Sequence, residues 1–332
     1  MKTLILNAGE VSQLLPIKEC ITVMREALIA VAAGQVHQPL RTMIKPPDVK
    51  GVMGLMPSYM YGDQKDGRAA FGLKAICVFP GNSAKGKDSH QGGVLLFSAE
   101  TGELLAMMNA SAITAIRTAA VSGVATDLLA RADAGNLALI GSGVQARSHL
   151  AAMAQVRPLK HCRIASRNFE HARRFAEEMR RDYSFAVEPV ETVQQAIEGA
   201  DLIVTATTAV EPIVRREWIA AGAHLNVVGS SVATRREVDS ATMAASSLFV
   251  DRRESTINEA GDYLFAIRDG AIVPEHIRAE IGEVLKGDKP GRTSPDEITL
   301  FKSLGIAAED LFAAEYLYRK AKELGIGTSV EF

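Results

Sequence analysis

The stretch Gly141-Ser142-Gly143-Val144-Gln145-Ala146 follows directly on an apolar run at 136–140. The run predicts a buried strand, and the glycines predict a tight turn into a helix. In a dinucleotide-binding turn, Gly141 permits the turn, Gly143 lets the backbone approach a pyrophosphate, and Ala146 lets the helix pack closely on the sheet. The helix N-terminus offers free N–H groups to the phosphates. Because an ordinary strand-to-helix turn also uses glycines, the surrounding elements must support this prediction.

Strand and helix candidates alternate on both sides of this turn. The repeated βα order predicts a doubly wound parallel sheet, in which ligands bind at the carboxyl ends of the strands. The predicted helices lie at 119–131, 169–181, 192–198, around Trp218 and at 235–245, and the predicted strands at 161–166, 185–190, 201–207, 223–229 and 247–251.

The second predicted strand of this domain ends at Ser166-Arg167-Asn168, where many NAD-binding domains carry an acidic residue for the ribose hydroxyls. A hydroxyl and a guanidinium suit a 2'-phosphate, which favours NADP(H) over NAD(H). The alternative is that Arg167 stacks on the adenine or faces solvent. The sequence therefore predicts NADP(H) or NAD(H), with the first preferred.

The first 117 residues have a different pattern. A helical apolar stripe begins after Pro16 and ends at Gly34, and short β-like runs fill 41–109, with a hairpin turn at 100–103. This pattern predicts a helix followed by a mostly antiparallel sheet. A second helical stripe covers 306–324, and its packing partner is left open, although chain ends often lie close together.

Composition limits the classes of function. A length of 332 residues indicates two domains, and 47% hydrophobic with 23% charged residues indicates a chain that is folded throughout. A net charge of -2 gives no field that would attract nucleic acid or an anionic membrane, and no run approaches the length of a membrane span. Cys20, Cys77 and Cys162 lack metal-ligand spacing, which predicts reduced thiols, no metal site and a cytoplasmic location.

Six stretches together are more specific than the glycine turn. They lie at 72–74, 89–92, 101–103, 114–120, 141–146 and 299–305. On these stretches the sequence resembles the ornithine cyclodeaminase and mu-crystallin family over nearly its whole length. The resemblance implies a homodimer with an N-terminal α+β substrate and dimerisation domain, 1–117, completed by the C-terminal helix within 305–332. The Rossmann-type NAD(P)-binding domain is then 118–304.

The resemblance implies hydride exchange between a nicotinamide and the α-carbon of an imino or amino acid. By position, it implies that Lys74 and Arg117 are catalytic and that Arg41, Lys74, Arg117 and Ser231 bind substrate. An imino acid has a carboxylate that suits a guanidinium and an imine nitrogen that needs a proton. Burial would lower the pKa of Lys74 enough for this purpose. The predicted cofactor contacts are Ser89, Thr118, Gly141, Gly143, Val144, Gln145, Ser166, Arg167, Asn168, Thr205, Ala206, Thr207, Val228, Gly229 and Ser303.

Several alternatives stay open. Arg41 and Lys74 could form ordinary ion pairs at a sheet edge, and Arg117 could cap a helix. His90 could donate a proton, although a lone histidine is more often structural. Ser231 stands where cyclodeaminases of the family carry an aspartate, which disfavours conversion of ornithine to proline and ammonia and favours imino-acid reduction or the reverse dehydrogenation. A non-catalytic NADP-binding crystallin-like protein is the third reading. Because no compensating carboxylate is evident near the cations, iminosuccinate is a plausible substrate, beside cyclic ketimines with one carboxylate.

Overall fold

The computed structural model describes residues 2–62 and 68–331 and divides the chain into two compact units. Unit 1 comprises Met1–Arg117 and Gly305–Phe332, and unit 2 comprises Thr118–Leu304. In chain order, the first elements are β1 (Lys2–Leu6), α1 (Ala8–Leu14), α2 (Ile17–Ala32), β2 (Val36–His37), β3 (Thr42–Ile44), β4 (Val52–Met60), β5 (Ala70–Val78), β6 (His90–Ser98), β7 (Leu104–Asn109) and α3 (Ala110–Leu129).

The elements of unit 2 continue from α3. They are β8 (Asn136–Ile140), α4 (Val144–Val156), β9 (His161–Ala165), α5 (Phe169–Met179), β10 (Ala186–Val190), α6 (Val193–Ile197), β11 (Leu202–Thr205), β12 (His224–Val227), α7 (Ser240–Ala245), β13 (Ser247–Val250), α8 (Arg253–Glu259), α9 (Gly261–Arg268), β14 (Ile277–Glu280), α10 (Ile281–Lys286) and β15 (Thr299–Lys302). The chain then returns to unit 1 through α11 (Ala307–Leu324) and β16 (Thr328–Glu331).

Unit 1 is a sheet covered on one face by helices. The strand order is β16-β1-β7-β6-β5-β4-β2, with β3 on β4; all described pairs are antiparallel except β1 with β7. The C-terminal helix α11 packs on β4, β5 and β6 and on α2. Gly72 makes this approach possible, because a Cβ at that position would lie 2.8 Å from a methyl carbon of Leu311. The N-terminal sheet completed by the C-terminal helix is confirmed.

Unit 2 is a doubly wound parallel sheet, as predicted. The strand order is β10-β9-β8-β11-β12-β15-β13-β14, and every described pair is parallel. The sequence did not predict β15, which runs between β12 and β13 although it follows them by many residues. Its four residues are all buried and too few for a periodic signal.

Two predicted helices have the wrong bounds. Helix α3 begins at Ala110 rather than 119, because it is apolar around its whole circumference and shows no stripe that would mark its start. Helix α7 begins at Ser240 rather than 235. The backbone N–H groups of Glu237 and Val238 donate instead to Asp262, at 2.7 and 3.0 Å, which keeps these two residues out of the helix.

Helix α3 also has the length and apolarity of a membrane span, which the sequence analysis did not anticipate. In the most apolar 18-residue stretch of this helix, 67% is buried within the protein. Burial of that extent is typical of a core helix.

Candidate functional site

A cluster of four charged side chains lies inside unit 1. Lys74 projects from β5 on the face that α11 covers, and its Nζ lies 2.6 Å from Oδ2 of Asp310. The Nε of Arg117 lies 3.1 Å from Oδ1 of the same aspartate, and its Nη1 lies 2.6 Å from Oε2 of Glu309. All four side chains are at most 5% exposed. We call these residues the unit 1 charge cluster.

The position of Arg117 depends on a glycine. Gly305 has a φ of 76°, and a Cβ there would lie 2.5 Å from Nη1 of Arg117 and 3.1 Å from its Cζ. The guanidinium therefore lies against bare backbone at the start of the C-terminal segment. Glycine at this position serves both the left-handed turn and the close approach.

The cluster changes the protonation of Lys74. The pKa of Lys74 is lowered from 10.5 to about 8: burial and, less strongly, the neighbouring Arg117 lower it, and Asp310 and, least of all, Glu309 oppose them. Burial also opposes the charge of Arg117, yet the two acids outweigh it and raise the pKa of Arg117. Lys74 can therefore exchange a proton near neutral pH while Arg117 stays charged.

His90 and Ser89 border this cluster at the start of β6. The Oγ of Ser89 lies 3.0 Å from Nδ1 of His90. Burial lowers the pKa of His90, and the charges of Lys74 and Arg117 lower it further, so the ring is neutral at neutral pH. A neutral imidazole next to two cations fits the structural reading of His90 better than that of a proton donor.

Arg41 directly precedes β3, which pairs with β4 in the register Thr42 with Leu55. Extending that register by one residue places Arg41 opposite Met56, whose partner on the other side is Lys74. The sheet thus brings Arg41 into the row of Lys74, two strands away from it.

The two acids correct one premise of the sequence analysis. No compensating carboxylate was expected near the cations, but Glu309 and Asp310 give the cluster a formal charge of zero with Lys74 and Arg117. The error arose because these acids lie about 190 residues from Arg117 in sequence. The charge argument for a dicarboxylic imine therefore fails. Only the acidic first turn of α11 could have signalled them.

The glycine turn of unit 2 has the features that a dinucleotide needs. Gly141 has a φ of 116°, and a Cβ there would lie 2.5 Å from the carbonyl oxygen of Ala206. Gly143 begins α4, a helix of 13 residues, without a side-chain cap, and the space where its Cβ would be is open. Val144 is 58% exposed beside it. Uncapped N–H groups at an open helix N-terminus form an anion site, and Ala146 is buried under the helix as predicted.

Several other predicted cofactor contacts of unit 2 lie at the ends of strands of the same sheet. The Oγ of Ser142 is 2.9 Å from that of Ser166. Arg167 and Asn168 are exposed, and the side chain of Asn168 accepts from the N–H of Glu170 to cap α5. Gln145 lies in the first turn of α4 and Val228 follows β12, next to Gly229. The strand ends thus converge as the parallel sheet predicts.

Three buried charged residues of unit 2 support this edge of the sheet. Glu237 accepts from the hydroxyls of Thr205 and Thr207, both at 2.7 Å, and from the N–H of Thr207 at 2.8 Å. The Nζ of Lys302 lies 2.9 Å from Oδ2 of Asp262 and donates to the carbonyl oxygen of Gly229 at 3.0 Å. We call Glu237, Asp262 and Lys302 the unit 2 charge cluster. Sequence reasoning missed all three.

Three further predicted site residues are described by their burial and chain neighbours: Ser303, Thr118 and Ser231. Ser303 is 2% exposed, and its hydroxyl has no hydrogen-bond partner within the described part of the chain, which leaves it available to a bound group. Thr118 is buried on α3, directly after Arg117. Ser231 follows Ser230, whose φ of 48° is unusual for a residue other than glycine. The open helix N-terminus and the unpartnered hydroxyl fit an NAD(P) cofactor.

The fold and the open glycine turn are those of a dinucleotide-dependent enzyme. Comparison with known proteins places it further. The family described as "Ornithine cyclodeaminase/mu-crystallin family" matches residues 1–325. The chain therefore belongs to the ornithine cyclodeaminase/mu-crystallin family, as the resemblance indicated.

Its relatives include reductases. The chain is 40% identical over 285 residues to the ketimine reductase mu-crystallin of Mus musculus, covering 86% of this chain and 85% of that protein. It is 36% identical over 330 residues to a Delta(1)-pyrroline-2-carboxylate reductase of Bacillus cereus, covering 99% and 100%. A solved Delta(1)-pyrroline-2-carboxylate reductase of Thermococcus litoralis, in complex with NADH and L-proline, matches with a TM-score of 0.94 and 39% identity, over 99% of this chain and 100% of that one.

Proposed function

We propose that this protein uses NAD(P)H to reduce a cyclic ketimine that bears one carboxylate, of the Δ1-pyrroline-2-carboxylate type, to the L-amino acid. The chain is an NAD(P)(H)-dependent oxidoreductase acting on the carbon–nitrogen bond of imino or amino acids. The observation that supports the cyclic monocarboxylate is the neutral unit 1 charge cluster, which has no excess positive charge for a second carboxylate. The names of the relatives given above, ketimine reductase and Delta(1)-pyrroline-2-carboxylate reductase, also indicate cyclic or other ketimines as substrates of those proteins.

The residues have distinct roles in this proposal. The bound nicotinamide supplies the hydride. Lys74 donates a proton to the imine nitrogen, since its pKa of about 8 keeps most molecules protonated at pH 7. Arg117 and Arg41 supply guanidinium groups for the carboxylate. Ser231 lies at the edge that carries the cofactor turn, and its hydroxyl has no charge to hold an ammonium group.

The proposed cofactor site is in unit 2. The N-terminus of α4 would hold the pyrophosphate, and Ser166 and Arg167 would hold the adenosine ribose or its 2'-phosphate. Arg167 is exposed at the end of β9, where it can reach such a phosphate. Asn168 is already occupied as a helix cap through its carbonyl oxygen. We keep NADP(H) as the preferred cofactor on this ground, and an Arg167→Ser variant should lose preference for NADPH over NADH.

The decisive experiment is a substrate screen with the purified protein. Oxidation of NADH and NADPH is followed with Δ1-pyrroline-2-carboxylate, its six-membered homologue, oxaloacetate plus ammonia, and pyruvate plus methylamine. The cyclic ketimines should give the highest kcat/KM. Faster turnover with oxaloacetate plus ammonia would favour iminosuccinate and contradict the proposal.

Two further arms test the alternatives. L-ornithine with catalytic NAD+ should yield neither proline nor ammonia; release of both would make the protein a cyclodeaminase. Cofactor binding without turnover of any imine would indicate a crystallin-like binding protein.

We also propose a cytoplasmic homodimer. The second face of the unit 1 sheet carries large apolar side chains that are exposed among the described residues, with Phe71 49% and Met107 43% exposed. An archaeal alanine dehydrogenase dimer with bound NAD matches this chain with a TM-score of 0.92 and 30% identity. All three cysteines are free thiols, which suits a reducing compartment. The residues that share this apolar face are Met53, Leu55, Tyr59, Phe71, Leu73, Leu95, Phe97 and Met107.

Light scattering should give about twice the chain mass of 35.6 kDa. Phe71→Lys should give monomers, since a charge would be buried at the interface. Val273→Lys, at an exposed apolar position of unit 2, is the matched control and should remain dimeric.

A further inference from the structure

The two acids of the unit 1 charge cluster are not equivalent. Asp310 contacts both cations, through Oδ2 to Nζ of Lys74 at 2.6 Å and through Oδ1 to Nε of Arg117 at 3.1 Å. Glu309 contacts Arg117 at 2.6 Å and acts on Lys74 through its charge. Asp310 is therefore the acid that directly fixes the lysine.

The backbone that carries Asp310 is held firmly. The start of α11 is tied to the rest of unit 1 by Gln38, whose Oε1 accepts from the N–H of Ala308 at 2.9 Å, and by Ser58, whose hydroxyl donates to the carbonyl oxygen of Ala307 at 3.3 Å. The first turn of a helix also favours negative charge. The ammonium of Lys74, by contrast, ends a flexible four-carbon chain and needs a partner to occupy one position.

We infer that Asp310 is a positioning residue, which holds the Lys74 ammonium where it can donate its proton to the imine nitrogen and keeps it protonated at neutral pH. Asp310 itself transfers no proton to substrate in this scheme. The inference rests on the proposed imine reduction, and it adds the specific contribution of the C-terminal helix to that chemistry.

Every charged group near Lys74 enters the expected pH dependence. These groups are Arg117 on α3, His90 on β6, and Glu309 and Asp310 on α11. Cys20 on α2 stays a neutral thiol, because burial raises its pKa. Of the charges that act on Lys74, Asp310 raises its pKa most, by both proximity and a hydrogen bond, and Glu309 raises it least.

The first test is the pH profile of kcat/KM for imine reduction. In the wild type the rate should fall as the pH rises through about 8, because Lys74 loses the proton it donates. In Asp310→Asn this basic limb should move to lower pH by about one unit or more, since the nearest negative charge is gone. Glu309→Gln is the matched control and should move the limb much less. An unmoved limb in Asp310→Asn, or an equal shift in both variants, overturns the inference.

A conservative variant separates position from charge. Asp310→Glu keeps the charge but displaces the carboxylate, so the basic limb should stay near that of the wild type while kcat falls and the KM for NADH is unchanged. This variant also serves if Asp310→Asn does not fold. A wild-type kcat in Asp310→Glu would show that the exact placement of the carboxylate is unimportant and would contradict the inference.

A measurement without turnover distinguishes this inference from the proposed function. In protein labelled with [13Cε]lysine, the NMR signal absent from Lys74→Met belongs to Lys74. Its titration midpoint should be near pH 8 and should drop in Asp310→Asn and only slightly in Glu309→Gln. If the midpoints behave so and no ketimine is reduced, the proposed substrate is wrong and the electrostatic coupling stands. If ketimines are reduced and the midpoints do not differ, the positioning role is wrong.

Discussion

The two units bury charge in different ways. In the unit 1 charge cluster, side chains pair with side chains: Lys74 and Arg117 with Asp310 and Glu309. In the unit 2 charge cluster, the same residue types bind largely to backbone. Asp262 accepts from two backbone N–H groups and Lys302 donates to a backbone carbonyl.

This difference indicates different tasks. Lys74 contacts a side chain, Asp310 on α11, so it can change its proton without breaking a turn, and its pKa of about 8 is lowered chiefly by burial. Lys302 bonds to the carbonyl oxygen of Gly229, in the loop after β12, and to Asp262 in α9, and so holds these two segments together. We therefore expect substitutions in unit 1 to change chemistry and those in unit 2 to change stability and cofactor binding.

The largest effect is expected for Lys74→Met. Loss of the proton donor should lower kcat for ketimine reduction by about 10²- to 10⁴-fold, the usual contribution of a general acid. Fluorescence titration with NADH should show nearly unchanged binding, because the predicted cofactor turn lies in unit 2. Lys74→Arg should not restore activity, since a guanidinium does not release its proton near neutral pH. Activity in either variant within tenfold of the wild type would contradict the contrast between the clusters.

Lys302→Met should act mainly on stability. Removing this fully buried cation leaves Asp262 and Glu237 without a counter-charge, which should cost about 3–5 kcal/mol in the free energy of unfolding. Urea denaturation measures this change. Lys289→Met, at an exposed lysine of the same unit, is the control and should be within about 0.5 kcal/mol of the wild type. If Lys302→Met were as stable as this control, the unit 2 charge cluster would have no structural role.

The pH dependence of kcat/KM should be opposite for imine reduction and for amino-acid oxidation. Reduction needs Lys74 protonated, so its kcat/KM should fall about tenfold per pH unit above about pH 8. Oxidation of the amino acid by NAD+ needs the lysine to accept a proton, so its kcat/KM should rise through the same range. Lys302→Met, if folded, should keep both limbs where they are. If kcat/KM rose with pH in both directions of the reaction, or fell in both, the group that titrates near pH 8 would not be Lys74.

The smallest effect is expected for Thr207→Val. The variant removes the hydrogen bonds of the hydroxyl to Glu237 and to the N–H of Ala209, a loss of about 1 kcal/mol. It should raise the KM for NADH about fivefold and leave kcat and the pH limbs unchanged. A larger fall in kcat than in cofactor affinity would contradict the expectation that substitutions in unit 2 change cofactor binding rather than chemistry.

Local signals in the sequence predicted the fold class. They also predicted one part of each site, namely the glycine turn of unit 2 and Lys74 of unit 1. The glycine turn and the alternating elements predicted the parallel sheet of unit 2, because each signal lies within a few consecutive residues. An apolar strand around Lys74 predicted its lowered pKa, since burial follows from the strand pattern. Helix α3 and strand β15 were missed or misplaced, because elements buried on all sides have no polar face to reveal their period.

The sequence by itself determined the family, the dinucleotide-binding turn and the cationic residue types offered to a substrate. Only the tertiary structure decided which acids neutralise those cations, since Glu309 and Asp310 reach Lys74 and Arg117 by the packing of α11 on the sheet. Likewise, Lys302 meets Asp262 only because β15 runs between β12 and β13. Charge pairing is a property of distances in space, and a pair separated by 40 to 240 residues leaves no periodic trace in the chain.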